Sequence, residues 1–81
     1  MKEVKVRRDQ FGIEVRQNKA WPYNYGLTSD VIRHTEKAVQ VEYYRWLLWL
    51  PKSHVRRVGG QLFSSIKMIN AGKDHDSAER S

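Results

Sequence analysis

The sequence predicts a mainly β fold, a small antiparallel sheet or partly open barrel of about four or five strands with one short C-terminal helix. Three observations lead there. Short apolar–polar alternations recur along the chain, clusters of turn-forming residues separate them, and β-branched and aromatic residues dominate where the alternation is clearest. At 81 residues the chain holds one domain, because a core half this size could not offset the entropy of ordering its own residues. The pattern occupies positions 1–70. Positions 71–81, AGKDHDSAERS, contain no large apolar residue and read as a disordered polar tail.

Residues 2–16 read as a hairpin, with Val4 and Val6 on one face, then Phe11, Ile13 and Val15, the two arms broken by Arg8, Asp9 and Gln10. Residues 17–29 gather Asn18, Pro22, Asn24 and Gly26 around Trp21, Tyr23 and Tyr25, which is loop chemistry with much π surface. The β-branched Val31, Ile32 and Thr35 favour a strand over a very short helix near Asp30 to His34. Lys37 to Glu42 places Val39 and Val41 on one face. Tyr43, Tyr44 and Arg45 then form a tight connection into a strand, Trp46 to Leu50, stopped by Pro51, which has no N–H for a ladder. That strand is apolar on both faces, Trp46, Leu48 and Leu50 against Leu47 and Trp49. It is either covered on both sides or carries a patch for a partner. The stretch HVRRV reads as an edge strand guarded by Arg56 and Arg57, and Gly59-Gly60 permits a reversal. In residues 61–70, Leu62, Ile66 and Ile69 fit a helical stripe while Ile66 and Met68 also fit alternation; the sequence leans to a short helix.

The segment from Thr35 to Val55 carries the residues Thr35, Lys37, Ala38, Val41, Trp49, Leu50, Pro51, Lys52, Ser53 and Val55. It resembles a hairpin of small bacterial, phage and mobile-element proteins, with the pattern T-x-K-A, a strand, a turn, then W-[LI]-P-K-S-x-[VI]. The resemblance implies a β-hairpin within a small sheet or barrel, in proteins sometimes linked with nucleic-acid handling. It stops at the hairpin, since neither the proline nor the tryptophan that such proteins often carry after the paired glycines follows Gly60 here.

Composition narrows the function classes. Fifteen Lys and Arg against nine Asp and Glu give a formal charge of +6, and positions 1–70 hold thirteen basic against six acidic residues, a formal +7. Such a surface attracts polyanions in a salt-dependent manner, although high charge also serves plain solubility. No cysteine is present, which favours a reducing compartment, and His34, His54 and His75 are scattered without a metal-ligand spacing. No cofactor is implied. The N-terminus is charged and no apolar run approaches the ~20 residues that span a bilayer, so the chain is expected to be cytoplasmic and without a membrane partner. Catalysis is not expected: Ser53 and His54 are sequence neighbours with no orienting carboxylate, the carboxylates are each isolated among cations, and Gly59-Gly60 lacks the Lys-Ser/Thr of a phosphate loop.

Cations interleaved with rings remain. Single-stranded nucleic acid is held by cations that follow its backbone and by rings on which bases stack. The candidate nucleic-acid contacts are Lys19, Arg45, Lys52, Arg56 and Arg57 for phosphates, and Tyr23, Tyr25, Tyr43 and Tyr44 for bases. Lys52 and Ser53, just past a strand end, suit a phosphate oxygen, or simply a solvated turn. Trp46 and Trp49 are assigned to the core, and Trp21 is left open between core and surface. The competing class is a protein-interaction or inhibitor module of phage or mobile-element kind, docking on a larger acidic protein or self-associating through the two-faced apolar strand.

Overall fold

The computed structural model describes residues 6–80. Among these residues, seven strands and one helix follow in order: β1 (Glu14–Arg16), β2 (Tyr25–Gly26), β3 (Arg33–His34), β4 (Ala38–Tyr43), β5 (Trp46–Pro51), a 3-10 turn (Lys52–His54), β6 (Val55–Val58), β7 (Gln61–Ser64) and α1 (Ile66–Arg80). The fold is mainly β with a C-terminal helix, as the alternation predicts. The described residues form two sheets, ordered β1-β6-β7-β2 and β3-β4-β5, and among them no barrel closes. The strand number exceeds the expected four or five because β1, β2 and β3 are pieces of only two or three residues.

The β4–β5 hairpin is the strongest element and follows the sequence pattern. Val39 faces Leu50 and Val41 faces Leu48, and all four are buried, so strict alternation places one apolar row inside. Tyr43 pairs with Trp46, which makes Tyr43 the last strand residue and leaves Tyr44 and Arg45 as the two-residue turn, Tyr44 at φ 56°. The opposite row carries Gln40, Glu42, Leu47 and Trp49. Trp49 is 40% exposed and therefore stands outside the core that the sequence assigned it. The core needs one row only, and Trp46 and the leucines fill it.

Segment 25–34 joins the two sheets. Tyr25 and Gly26 pair with Ser64 and Phe63, and the Leu27 amide continues the ladder to the Leu62 carbonyl. The chain then crosses to β4, where the amides of Thr28 and Ile32 donate to the carbonyls of Glu42 and Gln40. Leu27, Ile13, Val55, Leu62 and Ile69 complete the core between the sheets.

Two further readings are corrected. HVRRV is an interior strand: β6 lies between β1 and β7, and β1 joins it in parallel, Glu14 beside Arg56 and Arg16 beside Val58. Two arginines are tolerated inside a sheet because carboxylates meet both, Glu14 with Arg56, and Asp9 and Asp30 with Arg57. Residues 61–70 are strand and helix in succession, broken at Ser65, whose hydroxyl accepts the Met68 amide and caps α1. The reversal before β7 is Gly59-Gly60, both at positive φ, which suits the right-handed twist of a two-residue hairpin.

The helix does not end where large apolar residues do. It runs past Asn70 to Arg80, where a disordered tail was expected, because Gly72 lets its backbone settle on β5. A Cβ on Gly72 would lie 3.3 Å from Leu48 Cβ and Cδ2 and from Leu50 Cδ2. Lys73 lays its ammonium 5.3 Å from the Tyr43 ring centroid and 5.6 Å from that of Trp46.

The expected N-terminal hairpin is reduced, among the described residues, to a single bridge between Arg8 and Glu14, and Phe11, expected in its second arm, lies in the turn. The Asp9 amide donates to Ile13 and the Val15 amide to Arg7, around a turn closed by Gly12 donating to Asp9. Val4 and the start of the first arm lie outside the described residues. No helix of the described residues is long and apolar enough to cross a membrane.

Candidate nucleic-acid interface

Loop 17–24 folds across the face of the four-stranded sheet that points away from the core. That face presents Glu14, Arg56, Phe63 and Gly26 side by side across the four strands. Tyr23 sits over Arg56, ring centroid 4.1 Å from the guanidinium carbon, and Lys19 reaches to 5.6 Å from the Phe63 ring. The loop is thereby pinned at two points, on either side of Trp21.

Trp21 is 85% exposed and Tyr25 41% exposed. With Pro22, Ile66 and Lys67 they line a cleft of about 340 Å³ between the loop and the first turn of α1. Ile66 is itself part-exposed, and Ser65 and Asn24 add polar groups at the edge. Two exposed rings, an apolar wall and a lysine therefore meet at one place. Chemically the cleft can stack a flat ring and attract an anion beside it.

The structure distributes the nine residues singled out from the sequence. Lys19, Tyr23, Tyr25 and Arg56 belong to this loop and the sheet beneath it. Tyr43, Tyr44 and Arg45 sit at the β4–β5 turn, where Tyr44 is 72% exposed and packs edge-on against Tyr43, centroids 4.7 Å apart. Among the described residues no ring pair links the two turns. Lys52 lies at the other end of the same hairpin, a strand length of roughly 20 Å from Tyr44.

Two of the five cations are already engaged. Arg57 donates Nε to Asp9 Oδ2 at 2.8 Å and a fork to Asp30, Nη2 to Oδ1 at 2.9 Å and Nη1 to Oδ2 at 3.1 Å. Burial alone would raise the Asp9 carboxyl, but the Ile13 amide, Arg57 and the Phe11 amide outweigh it and hold it below the ordinary 3.8. The Arg57 hydrogen bonds hold Asp30 low as well, against its partial burial. Arg56 donates Nη1 to the carbonyls of Ser53 and Val55, and its buried Nε stands 3.3 Å from Glu14 without hydrogen-bond geometry. Both guanidiniums are thus parts of the sheet's own electrostatics.

The sequence reading left Trp21 open between core and surface and did not single out Lys67. For Trp21 a signal exists: it lies among Pro22, Asn24 and Gly26 in a loop, where no strand alternation buries a ring. For Lys67 none exists, because its position depends on where strand gives way to helix. Among the described residues no three His, Cys, Asp or Glu side chains group to hold a metal ion.

The chain matches no protein-family model, and neither the curated proteins nor the solved structures contain a significant match to it.

Proposed function

We propose that this chain is a binding protein that grips single-stranded nucleic acid with little sequence preference, rather than an enzyme. Trp21 and Tyr25 stack on bases, and Lys19 and Lys67 meet the flanking phosphates. The observation that carries the reading is the exposure of Trp21 beside Tyr25 on a cleft with a lysine. A tryptophan held in water gains nothing for the fold, since its apolar area stabilises only when buried. The excess of cations supports the same reading, because it supplies the sequence-independent attraction to phosphate.

The test is fluorescence anisotropy with labelled single- and double-stranded oligonucleotides of mixed and homopolymeric sequence, at several salt concentrations. Single strands are expected to bind more tightly than duplex, with affinity falling as salt rises. Trp21→Ala and Tyr25→Ala are each expected to weaken binding by about 5- to 100-fold, the equivalent of about 1–3 kcal/mol per stacked base. Equal binding by wild type and the Trp21→Ala, Tyr25→Ala double variant would overturn it.

A second reading has its own observation. On the outer face of the three-stranded sheet, exposed Trp49 stands beside half-buried Leu47, a surface suited to a protein partner or a second copy. The hairpin's resemblance to small phage and mobile-element proteins supports an interaction module of that kind. Loss of a partner on Trp49→Ala, with oligonucleotide binding absent from wild type, would favour it.

A further inference from the structure

An open surface cleft of about 580 Å³ lies away from the aromatic loop, at the open end of the β4–β5 hairpin. Its walls bring together residues from three separate stretches of chain: Arg8 from the N-terminal hairpin, Lys37 from the entry to β4, and Lys52 and Ser53 from the exit of β5. The Lys52 amide donates to the Lys37 carbonyl at 2.9 Å, so the ladder continues one step past the strands and fixes the two lysines as cross-strand neighbours. Arg8 is anchored by Nη1 donating to the Gly12 carbonyl at 3.1 Å, which sets its guanidinium on the same cleft.

Three cations here face one carboxylate, Glu36. Among the described residues every ion pair involves Arg16, Arg56 or Arg57, and none involves Arg8, Lys37 or Lys52. Like charges opposite one another across a strand pair are destabilising. The cleft therefore carries a local excess of positive charge, which favours an anion. The donors differ in kind, a planar fork, two mobile ammonium groups and a hydroxyl, and together they suit a tetrahedral oxyanion. Phe11 and Pro51 add apolar surface to the same cleft.

We infer that Arg8, Lys37, Lys52 and Ser53 form a phosphate-binding site. The group bound is a phosphate, free or as part of a nucleotide chain, and the site does not depend on the aromatic loop.

The experiment is a titration of the full chain with sodium phosphate and pyrophosphate, followed by amide NMR shifts at ionic strength held constant with chloride. Saturable shifts confined to Arg8, Gly12, Lys37, Lys52 and Ser53 are expected, with pyrophosphate tighter than phosphate. The Lys37→Gln, Lys52→Gln double variant is expected to weaken pyrophosphate binding by at least about 5-fold while keeping the dispersed β4–β5 resonances that report the fold. Arg8→Gln, outside the hairpin, provides a second variant with the same expectation. Shifts that are unsaturable or spread over the whole surface, or an affinity unchanged in both variants, would overturn the assignment. A parallel arm adds an oligonucleotide and its unphosphorylated nucleosides. Shifts at the cleft with the oligonucleotide mark it as a backbone contact; shifts with pyrophosphate alone mark a separate small-anion site. Trp21→Ala leaves phosphate binding intact in either case, so failure of the stacking reading and failure of this one are distinguishable.

Discussion

Arg57 is the residue whose replacement the structure resolves most sharply, because it has two carboxylate partners of opposite character. With Asp30 it makes the better geometry, a two-pronged fork, but the Asp30 side chain is 59% exposed. With Asp9 it makes a single bond at 2.8 Å, yet the side chains of the pair are only 15% and 12% exposed. Water competes with the first pair and hardly with the second. An exposed pair contributes about 0–1 kcal/mol, whereas a hydrogen bond to a poorly solvated charge contributes about 1.5–3 kcal/mol. Arg57→Gln is therefore expected to cost about 2–3 kcal/mol. A domain of this length holds roughly 4–12 kcal/mol in all, so the loss is large. Asp9→Asn separates charge from turn geometry, because an amide oxygen still accepts the Phe11 and Ile13 amides that Asp9 Oδ1 accepts at 2.8 Å. In double-mutant cycles by urea unfolding, followed through tryptophan fluorescence, Arg57–Asp9 coupling of about 1–2 kcal/mol is expected, and Arg57–Asp30 coupling below about 0.5 kcal/mol. Arg57→Gln within about 0.5 kcal/mol of wild type, or an Asp30 coupling as large as that of Asp9, would refute the burial argument. Reduced oligonucleotide binding at unchanged stability would return Arg57 to the interface.

Other expectations follow from the same contacts. Asp9 and Asp30 titrate below 3.8 in the folded chain, so their contribution is complete above that value and is lost as pH falls through the lower folded values; acid titration of stability should show a fall steepest below about pH 4, reduced in Asp9→Asn. Gly72→Val drives methyl groups into Leu48 and Leu50 and is expected to cost about 1–3 kcal/mol in thermal unfolding by circular dichroism; an unchanged melting temperature would mean that α1 is not seated on β5. Trp21→Ala, 85% exposed, should leave stability within about 0.5 kcal/mol, whereas Leu48→Ala, fully buried, should cost about 2–5 kcal/mol by the same measurement.

Much of the fold was legible in local pattern. Val39, Val41, Leu48 and Leu50 announce the β4–β5 hairpin because a period of two sorts side chains onto faces before any tertiary contact exists. The Gly59-Gly60 reversal is equally local, since only backbone sterics select it. Of the candidate site, the aromatic loop was legible as a loop, and Lys19 and Tyr23 with it, because Asn and Pro specify the connection by their own conformational preferences, whereas Tyr25 was read as loop and pairs in β2.

The tertiary structure decided everything that depends on which distant residue arrives alongside. Arg56 and Arg57 read as edge guards until Glu14, Asp9 and Asp30 come from elsewhere in the chain to neutralise them. Gly72 reads as part of a disordered tail until the β5 leucines lie against it, where the missing side chain lets the helix dock. Trp49 reads as core because it is a tryptophan in a strand; only the sheet's position shows that its row faces outward. Arg8, Lys37 and Lys52 meet at one cleft although nothing in their sequence spacing joins them. The sequence by itself determined the alternation, the turns and the net charge, which are properties of neighbouring residues. Charge compensation, close backbone approach and the convergence of cations arise between residues far apart in the chain, and only the packed fold sets those distances.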